Sequence, residues 1–264
     1  QSLRELNKQN QWDSGCHNCK NLEAIGAESF RTGMNTSFGV GEYNSTGPKR
    51  IDLHFDISCN LACRTCGTHS STMWQKHLKE HNLYDDKIFV PRSYDAVITA
   101  LKQLDLSNLQ MLVFTGGETL LGQSHWQVAE WLAQHVPNAK QQLTLCFHTN
   151  GTQPINLRNY EIIEKFHLVK LHFSLDGIQH RFNYLRWPAE WNQVVNNIMT
   201  IRELAPSNVM FLIEETVGKL FSSKKVPLTK KLFLESKYSA RWLPANPVIP
   251  VIKIFFMPHR QPFL

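Results

Sequence analysis

Three cysteines, Cys59, Cys63 and Cys66, lie within the eight residues CNLACRTC, and no fourth cysteine lies near them. In a reducing compartment, clustered cysteines bind metals or carry out redox chemistry more often than they form disulfides. The three thiolates could bind zinc, with His69 as the fourth ligand, or they could bind an iron–sulfur cluster. In the second case one iron of a cubane would stay open for a ligand that is not protein. The spacing by itself leaves both interpretations open.

The composition is that of a globular protein. Of the 264 residues, 42% are hydrophobic, 11% aromatic and 19% charged, which is ordinary for a folded domain and sufficient for a large core. The sequence has no apolar run of about 18 residues, and its first residues are too polar for a signal peptide. We therefore expect a cytoplasmic protein with no membrane partner.

The net charge of +6 is concentrated at one end of the chain. After Thr216 there are nine Lys or Arg against the single Glu235, together with six of the twelve prolines. This change in composition predicts a boundary near Thr216 and an atypical basic, proline-rich tail over residues 217–264. The aromatic and basic residues of the tail do not form a stacking groove, so nucleic acid is the less favoured partner.

Strands and helices are predicted to alternate between residues 51 and 215, which indicates a parallel α/β fold. Ser93 is the expected N-cap of one helix, and Pro188 is expected to open the last one. The predicted strands are residues 51–57, 109–115, 142–148, 168–175 and 208–215. The predicted helices are residues 71–82, 93–104, 124–136, 156–166 and 188–204.

Three of these strands alternate polar and apolar residues, although parallel strands covered on both sides are usually apolar throughout. One face can pack on helices, and the other is too polar for a dry core. A barrel whose lumen holds a polar ligand explains this pattern better than a packed, closed barrel does. An antiparallel sheet with one wet face is the alternative. The polar positions are Asp52, His54 and Asp56, then Cys146 and His148, then Lys170, His172, Ser174 and Asp176.

Four short motifs follow four successive strands: CxxxCxxC, TGGETLL, HTNGT and SLDG. In this order they resemble the radical S-adenosylmethionine (SAM) superfamily. The resemblance implies that residues 48–216 form a partial (β/α)6 TIM-like barrel of the radical SAM type. It also implies that Cys59, Cys63 and Cys66 hold a [4Fe–4S] cluster whose fourth iron binds SAM. One electron would then cleave SAM to methionine and a 5′-deoxyadenosyl radical that abstracts hydrogen from a substrate.

The resemblance also implies a set of cofactor-binding residues. Gly116 and Gly117 would let the backbone approach the ligand closely, and Glu118 would accept hydrogen bonds from its charged amino group. Arg181 and Arg186 are candidate carboxylate partners, although a solvated surface position is the favoured interpretation of each. No residue is assigned to substrate chemistry. The other implied cofactor-binding residues, at strand ends, are Thr149, Asn150, Ser174 and Asp176.

A separate CxxC pair, Cys16 and Cys19, lies near the N-terminus. Alone it could be a zinc half-site, a redox dithiol or an accident. With Glu23, Gly26, Ser29 and Arg31 it resembles the end of a twitch or SPASM-like segment, which binds an auxiliary iron–sulfur cluster. Because no cysteine precedes the pair after Gln1, we expect residues 1–47 to be the remnant of such a segment in a fragment of a longer protein. The pair would then be the surviving ligands of an incomplete auxiliary cluster.

The favoured function is that of a radical SAM enzyme acting on a peptide or small molecule, with ferredoxin or flavodoxin as electron donor. The tail puts activity in doubt, because the family pattern continues with another α/β unit, whereas VIPVIKIFFM could supply only an edge strand. The alternative function is a non-catalytic zinc module with a structural or nucleic-acid-binding role. In that module Cys59, Cys63, Cys66 and His69 would bind the ion.

Overall fold

The computed structural model describes residues 6, 9, 11–38, 47–83, 91–214 and 253–256. The chain divides into two compact units, Gln1–Thr46 and Gly47–Leu264. The predicted boundary near Thr216 and the rest of the predicted tail lie outside the described residues, except for residues 253–256. In the part of the chain described, no helix is both long and apolar enough to span a membrane.

The first unit contains a 3-10 turn and two helices. The turn is Ser14–Cys16, helix α1 is His17–Ala24 and helix α2 is Phe30–Phe38. Ser29 and Thr32 fix the start of α2, because the hydroxyl group of each accepts a hydrogen bond from the backbone N–H of the other, at 3.1 and 2.8 Å.

The second unit is built on one sheet in which six strands lie in their chain order. Strands β1 to β5 are parallel, so the predicted parallel α/β architecture is confirmed and the antiparallel alternative is wrong for these strands. Strand β6 lies antiparallel at the edge beside β5. The edge strand expected in VIPVIKIFFM is therefore present. The strands are β1 Arg50–His54, β2 Met111–Thr115, β3 Thr144–Thr149, β4 Leu168–Ser174, β5 Val209–Glu214 and β6 Lys253–Phe256.

The five predicted helices are present, and two short helices were not predicted. Ser93 is the N-cap expected, since its hydroxyl group accepts a hydrogen bond from the N–H of Ala96 at 3.3 Å. Pro188 does not open the last helix, which begins at Trp191, where Asn183 Oδ1 accepts the backbone N–H. The helices of this unit are α3 Thr72–Glu80, α4 Tyr94–Lys102, α5 Ser124–His135, α6 Ala139–Gln142, α7 Leu157–Ile163, α8 Gln179–Leu185 and α9 Trp191–Leu204.

The two faces of the sheet differ as the strand patterns predicted. On the apolar face Phe114, Phe147 and Phe173 are fully buried, and Trp126 of α5 stacks on Phe147 with ring centroids 4.9 Å apart. On the opposite face most side chains are half-buried or exposed. We call this second face the polar face; its residues are Asp52, His54, Cys146, His148, Lys170, His172 and Ser174.

Candidate metal and cofactor site

The cysteine loop, residues 59–66, follows β1 and is held by the start of α3. The Thr72 hydroxyl group accepts a hydrogen bond from the N–H of Cys59 and donates one to the carbonyl oxygen of Cys59, both at 3.1 Å. The indole N–H of Trp74 donates to the carbonyl oxygen of Cys63 at 2.9 Å. Two of the three cysteines are therefore fixed through their own backbone groups.

The segment between α8 and α9 holds the same loop from another direction. Ala62 donates its backbone N–H to the carbonyl oxygen of Trp187, and Arg64 donates to that of Leu185, both at 2.8 Å. Since these bonds flank Cys63 in the chain, the middle cysteine lies in the most constrained part of the loop.

Burial disfavours the thiolate form of two of these cysteines. It raises the pKa of Cys59 to about 12, and the negative charge of Glu118 acts in the same direction. Burial also raises the pKa of Cys63, while the nearby Arg186 cation opposes that rise. The charge of Cys66 also acts to raise the pKa of Cys59 and the pKa of Cys63. The three side chains are therefore close enough to interact electrostatically.

Zinc and an iron–sulfur cluster make different demands on the residues around the three cysteines. A zinc ion would need a fourth ligand, for which the sequence offers His69. His69 is exposed, whereas Cys63 is buried and Cys59 and Cys66 are half-buried. A cluster held by three thiolates needs no fourth protein ligand.

Arg186 lies beside the middle cysteine. Its Nη2 atom is 2.8 Å from Asp176 Oδ2, and its Nη1 atom is 4.0 Å from Cys63 Sγ. Both residues are buried, so the favoured surface interpretation of Arg186 is wrong. Asp176, a predicted cofactor contact, lies in this ion pair, and among the described residues its Oδ1 atom has no hydrogen-bond partner.

The TGGE turn after β2 packs on the backbone that leads into the cysteine loop. Gly117 N–H donates to Asp56 O at 3.0 Å, and Glu118 N–H donates to Ser58 O at 2.8 Å. A Cβ atom would lie 2.4 Å from Asp56 O at Gly116 and 2.2 Å from Ser58 O at Gly117. Both positions therefore need glycine for contact between two chain segments, a reason that differs from the ligand approach we predicted.

The carboxylate of Glu118 joins this turn to the one after β3. Its Oε1 atom accepts hydrogen bonds from the Thr149 hydroxyl group at 2.6 Å and the Leu120 N–H at 3.0 Å. Its Oε2 atom accepts from the Asn150 N–H at 2.6 Å. Burial raises the pKa of Glu118, and these three bonds oppose the rise. Three predicted cofactor residues are thus brought together in one hydrogen-bonded cluster.

Asn150 extends the cluster to the cysteine loop. Its side-chain amide donates to Asn60 Oδ1 at 3.2 Å and lies 4.0 Å from Cys59 Sγ. Asn60 in turn donates to the hydroxyl group of Thr152 at 2.9 Å. The motifs that follow β1, β2 and β3 therefore form one connected site at the carboxyl ends of the strands, which is where ligands bind in parallel folds.

A model of the radical SAM superfamily matches residues 57–220, which are more than half of the chain. The chain belongs to the radical SAM superfamily. The search of curated proteins found no match.

Solved structures that are similar to parts of this chain include the following two. Native anSMEcpe with bound AdoMet and Cp18Cys peptide is 18% identical, with 62% of this chain and 41% of that chain covered and a TM-score of 0.39. SuiB of Streptococcus suis, bound to its precursor peptide SuiA, is 12% identical, with 71% and 43% covered and a TM-score of 0.41. The chain thus spans less than half the length of either structure.

The radical SAM cluster and the residues of this chain are compatible. The loop offers three free thiols, and a buried cation lies beside one of them. Leu61 and Ala62, between the first two cysteines, are buried and would exclude water from the metal. Arg186 was one of the candidate carboxylate partners named from the sequence. The site residues not foreseen from the sequence are Asn60, Trp74 and Thr152; of these, Asn60 and Thr152 belong to the quoted motifs, while Trp74 had no local pattern.

Ser174 lies at the end of β4 on the polar face and is half-buried. Its register partner on β5 is Glu214. The structure therefore places Ser174 on the same sheet face as the lumen ligand that we predicted, and not among the hydrogen bonds that join Glu118 to the cysteine loop.

In the first unit, Cys16 and Cys19 are both half-buried at the start of α1. The other residues of the N-terminal motif form a local network of their own. Glu23 Oε1 accepts hydrogen bonds from the Ser29 hydroxyl group at 2.6 Å and from Arg31 Nε at 3.1 Å. The pairing of Glu23 with Ser29 and Arg31 lowers the pKa of this carboxyl group. This part of the motif therefore joins α1 to α2.

Proposed function

We propose that this radical SAM protein binds a [4Fe–4S] cluster through Cys59, Cys63 and Cys66 and binds SAM at the remaining iron. When SAM is bound, one electron from such a cluster would cleave it to methionine and a 5′-deoxyadenosyl radical. The observation that carries the proposal is the cysteine loop. It is held on two sides by hydrogen bonds, and the buried cation of Arg186 lies 4.0 Å from the sulfur atom of Cys63.

The residues around the loop have defined tasks in this proposal. Arg186 offsets part of the negative charge that three thiolates bring, and Asp176 keeps the guanidinium group in place. Glu118 and Asn150 hold the two neighbouring turns against the loop, and these turns are the site proposed for the methionyl part of SAM. Gly116, Gly117 and Thr149 support that surface, while Ser174 is the candidate contact on the polar face.

The electron would come from a separate protein such as ferredoxin or flavodoxin, and the substrate would be a peptide or a small molecule. A shallow cleft beside the cysteine loop is a suitable place for the donor, because it is lined by Arg64, Trp74, His77 and Trp187 next to Ala62 of the loop. The half-exposed polar face is the suitable place for the substrate. None of the six cysteines forms a disulfide, which agrees with a reducing, cytoplasmic location.

We also propose that Cys16 and Cys19 are two ligands of an auxiliary iron–sulfur cluster. Their half-buried positions at the start of one helix leave both thiols able to reach a shared metal centre. This second cluster is separate from the proposed SAM chemistry and is tested by the iron content of C16S/C19S protein.

Anaerobic reconstitution with iron and sulfide tests the main proposal. In the C16S/C19S/C146S variant the loop cysteines are the only thiols left, and it should still bind about four irons per chain. Reduction with dithionite in the presence of SAM should then release 5′-deoxyadenosine. Adding C63A should abolish both results, because two thiolates hold a cubane poorly.

His69→Ala is the matched control that separates the cluster from a zinc site. It should leave iron content unchanged, since His69 is not a ligand in the proposed arrangement. Colourless protein that carries one zinc, lost on the H69A change, would overturn the proposal. A coloured cluster that does not cleave SAM would support the proposed cluster binding and refute the proposed activity.

A further inference from the structure

A second group of metal-binding side chains lies on the polar face, away from the cysteine loop. Cys146 Sγ and one ring nitrogen each of His148 and His172 all lie within 4.8 Å of one another. Among the described residues, this is the group of three whose ligand atoms are close enough to bind one ion. Cys146 is buried and the two histidines are half-buried, so the group lies in the sheet with access to solvent on one side.

The sheet itself positions these three residues. Cys146 and His148 are two apart on β3 and therefore point to the same face. His172 is the register partner of His148 on the neighbouring strand β4, and the two imidazole rings stack with centroids 4.7 Å apart. Because the ligands come from the interior of two paired strands, their separation is fixed by backbone hydrogen bonds and not by a loop.

We propose that Cys146, His148 and His172 form a mononuclear site for a borderline-soft divalent ion, with Zn²⁺ as the preferred ion and a fourth position open to an exogenous ligand. In a tetrahedral zinc site, ligand atoms lie about 3.3–3.8 Å apart, because Zn–N and Zn–S bonds are about 2.0–2.3 Å long. The three ligand atoms lie within 4.8 Å of one another, so small side-chain rotations would bring them to that geometry. One thiolate and two imidazoles suit zinc better than hard, oxygen-preferring cations.

Three protein ligands with an open fourth position are the arrangement of catalytic zinc sites. The ligand at that position would be water, or an oxygen or sulfur atom of a molecule bound on the polar face. His172 is two residues before Ser174 on β4, so an ion held there would lie on the same face of the sheet as this candidate SAM contact.

The charges nearby are compatible with a divalent ion. Lys170 is the register partner of Cys146 and is the one lysine on the polar face of the described strands β1 to β5. Its flexible four-carbon side chain is half-buried, so the charge can turn towards solvent when an ion binds.

Cobalt binding to a chain with one cysteine tests this site directly. In the variant C16A/C19A/C59A/C63A/C66A, Cys146 is the only thiol left. A thiolate-to-cobalt charge-transfer band on addition of Co²⁺ can then arise only from Cys146. We expect one Co²⁺ per chain, displaced by one equivalent of Zn²⁺, with far-ultraviolet circular dichroism showing that the variant is folded.

Removing one imidazole should weaken binding strongly. His148→Ala or His172→Ala in the same background should lower the affinity for Co²⁺ more than about 100-fold, since the loss of groups that only support a ligand already costs 10–100-fold. His167→Ala, at an exposed position before β4, is the matched control and should leave the affinity unchanged.

A folded one-cysteine variant that shows no charge-transfer band would overturn the proposal, as would equal affinities for the H148A, H172A and H167A variants. If the one-cysteine variant does not fold, zinc content is measured on the chain with its [4Fe–4S] cluster reconstituted. There the Cys146→Ser change should remove one zinc per chain and leave iron unchanged. Because the readout is metal stoichiometry, failure of this site would not affect the proposed SAM cleavage.

Discussion

The guanidinium group of Arg186 lies 2.8 Å from the carboxylate of Asp176 and 4.0 Å from the sulfur atom of Cys63. One buried cation therefore compensates a buried carboxylate and also adjoins a proposed cluster ligand. Asp176 is fully buried, so its charge depends on this partner.

Replacing Arg186 with Met should lower the free energy of unfolding by about 3–5 kcal/mol, because the charge of Asp176 would stay buried without its partner. Urea denaturation of the metal-free chain measures this. The double variant D176N/R186M is the control and should be less destabilised than R186M. Equal stability of R186M and the parent chain would show that the ion pair contributes nothing.

Gly117→Ala should destabilise the protein by more than about 2 kcal/mol, because its Cβ atom would lie 2.2 Å from Ser58 O, which is backbone and cannot rotate away. The same change at Gly122 is the matched control: its nearest neighbour is 3.8 Å away, so the effect should stay within about 0.5 kcal/mol. The melting temperatures of the two variants, compared with that of the parent chain, measure this difference in stability. Similar melting temperatures for both would contradict the close contact between the TGGE turn and residue 58.

Glu118→Gln should cost about 1–3 kcal/mol, because both carboxylate oxygens accept hydrogen bonds from N–H or O–H donors and an amide NH₂ group cannot accept. Thr149→Val removes one donor to Glu118 and also the acceptor of the Gly151 N–H, and should cost about 1–2 kcal/mol. Chemical denaturation of both variants measures the difference. If E118Q matched the parent chain in stability, the bonds to Leu120 and Asn150 would not contribute to folding.

His125 should make the protein less stable in mild acid. This side chain is buried between Phe55 and Phe114, and burial lowers its pKa to about 4. Between pH 6.5 and pH 4 the unfolded chain binds a proton at His125 that the folded chain does not, so stability falls as pH falls. The loss from this one group is about 3 kcal/mol.

The measurement is the free energy of unfolding at several pH values for the parent chain and for His125→Phe. The variant should lack this part of the pH dependence, since phenylalanine does not titrate. His167→Phe, at an exposed position, should keep the parent's pH dependence. Identical pH profiles for the parent and H125F would show that His125 titrates normally in the folded chain.

The sheet could be predicted because each strand carries its pattern locally. Strands β3 and β4 alternate polar and apolar residues, and the chain between the strands has helical periodicity. Parallel pairing then followed from the helical connections. The two missed helices, Ala139–Gln142 and Gln179–Leu185, span only four and seven residues. So short a stretch gives little periodicity to detect.

The supports of the cysteine loop could not be predicted in the same way. Trp74 contacts the loop through a single indole hydrogen bond to a backbone carbonyl, and Trp187 contacts it through its own carbonyl from a segment far along the chain. Neither kind of contact leaves a spacing rule in the sequence. The group of Cys146, His148 and His172 was missed for a related reason. Its members were recognised as polar lumen residues, but their proximity depends on the register between β3 and β4, which the sequence does not specify.

The strands of the parallel sheet are neighbours in the order in which the ribosome makes them. Each one can therefore pair with its predecessor as the chain emerges, and the N-terminal part of the sheet can fold first. The cysteine loop leaves the ribosome early. Its backbone partners Leu185 and Trp187 leave the ribosome only after a further delay on the order of 10 s at usual rates of translation. Completion of the proposed metal site is thus a late event on the nascent chain, and its three thiols are without the contacts from residues 185 and 187 during that interval.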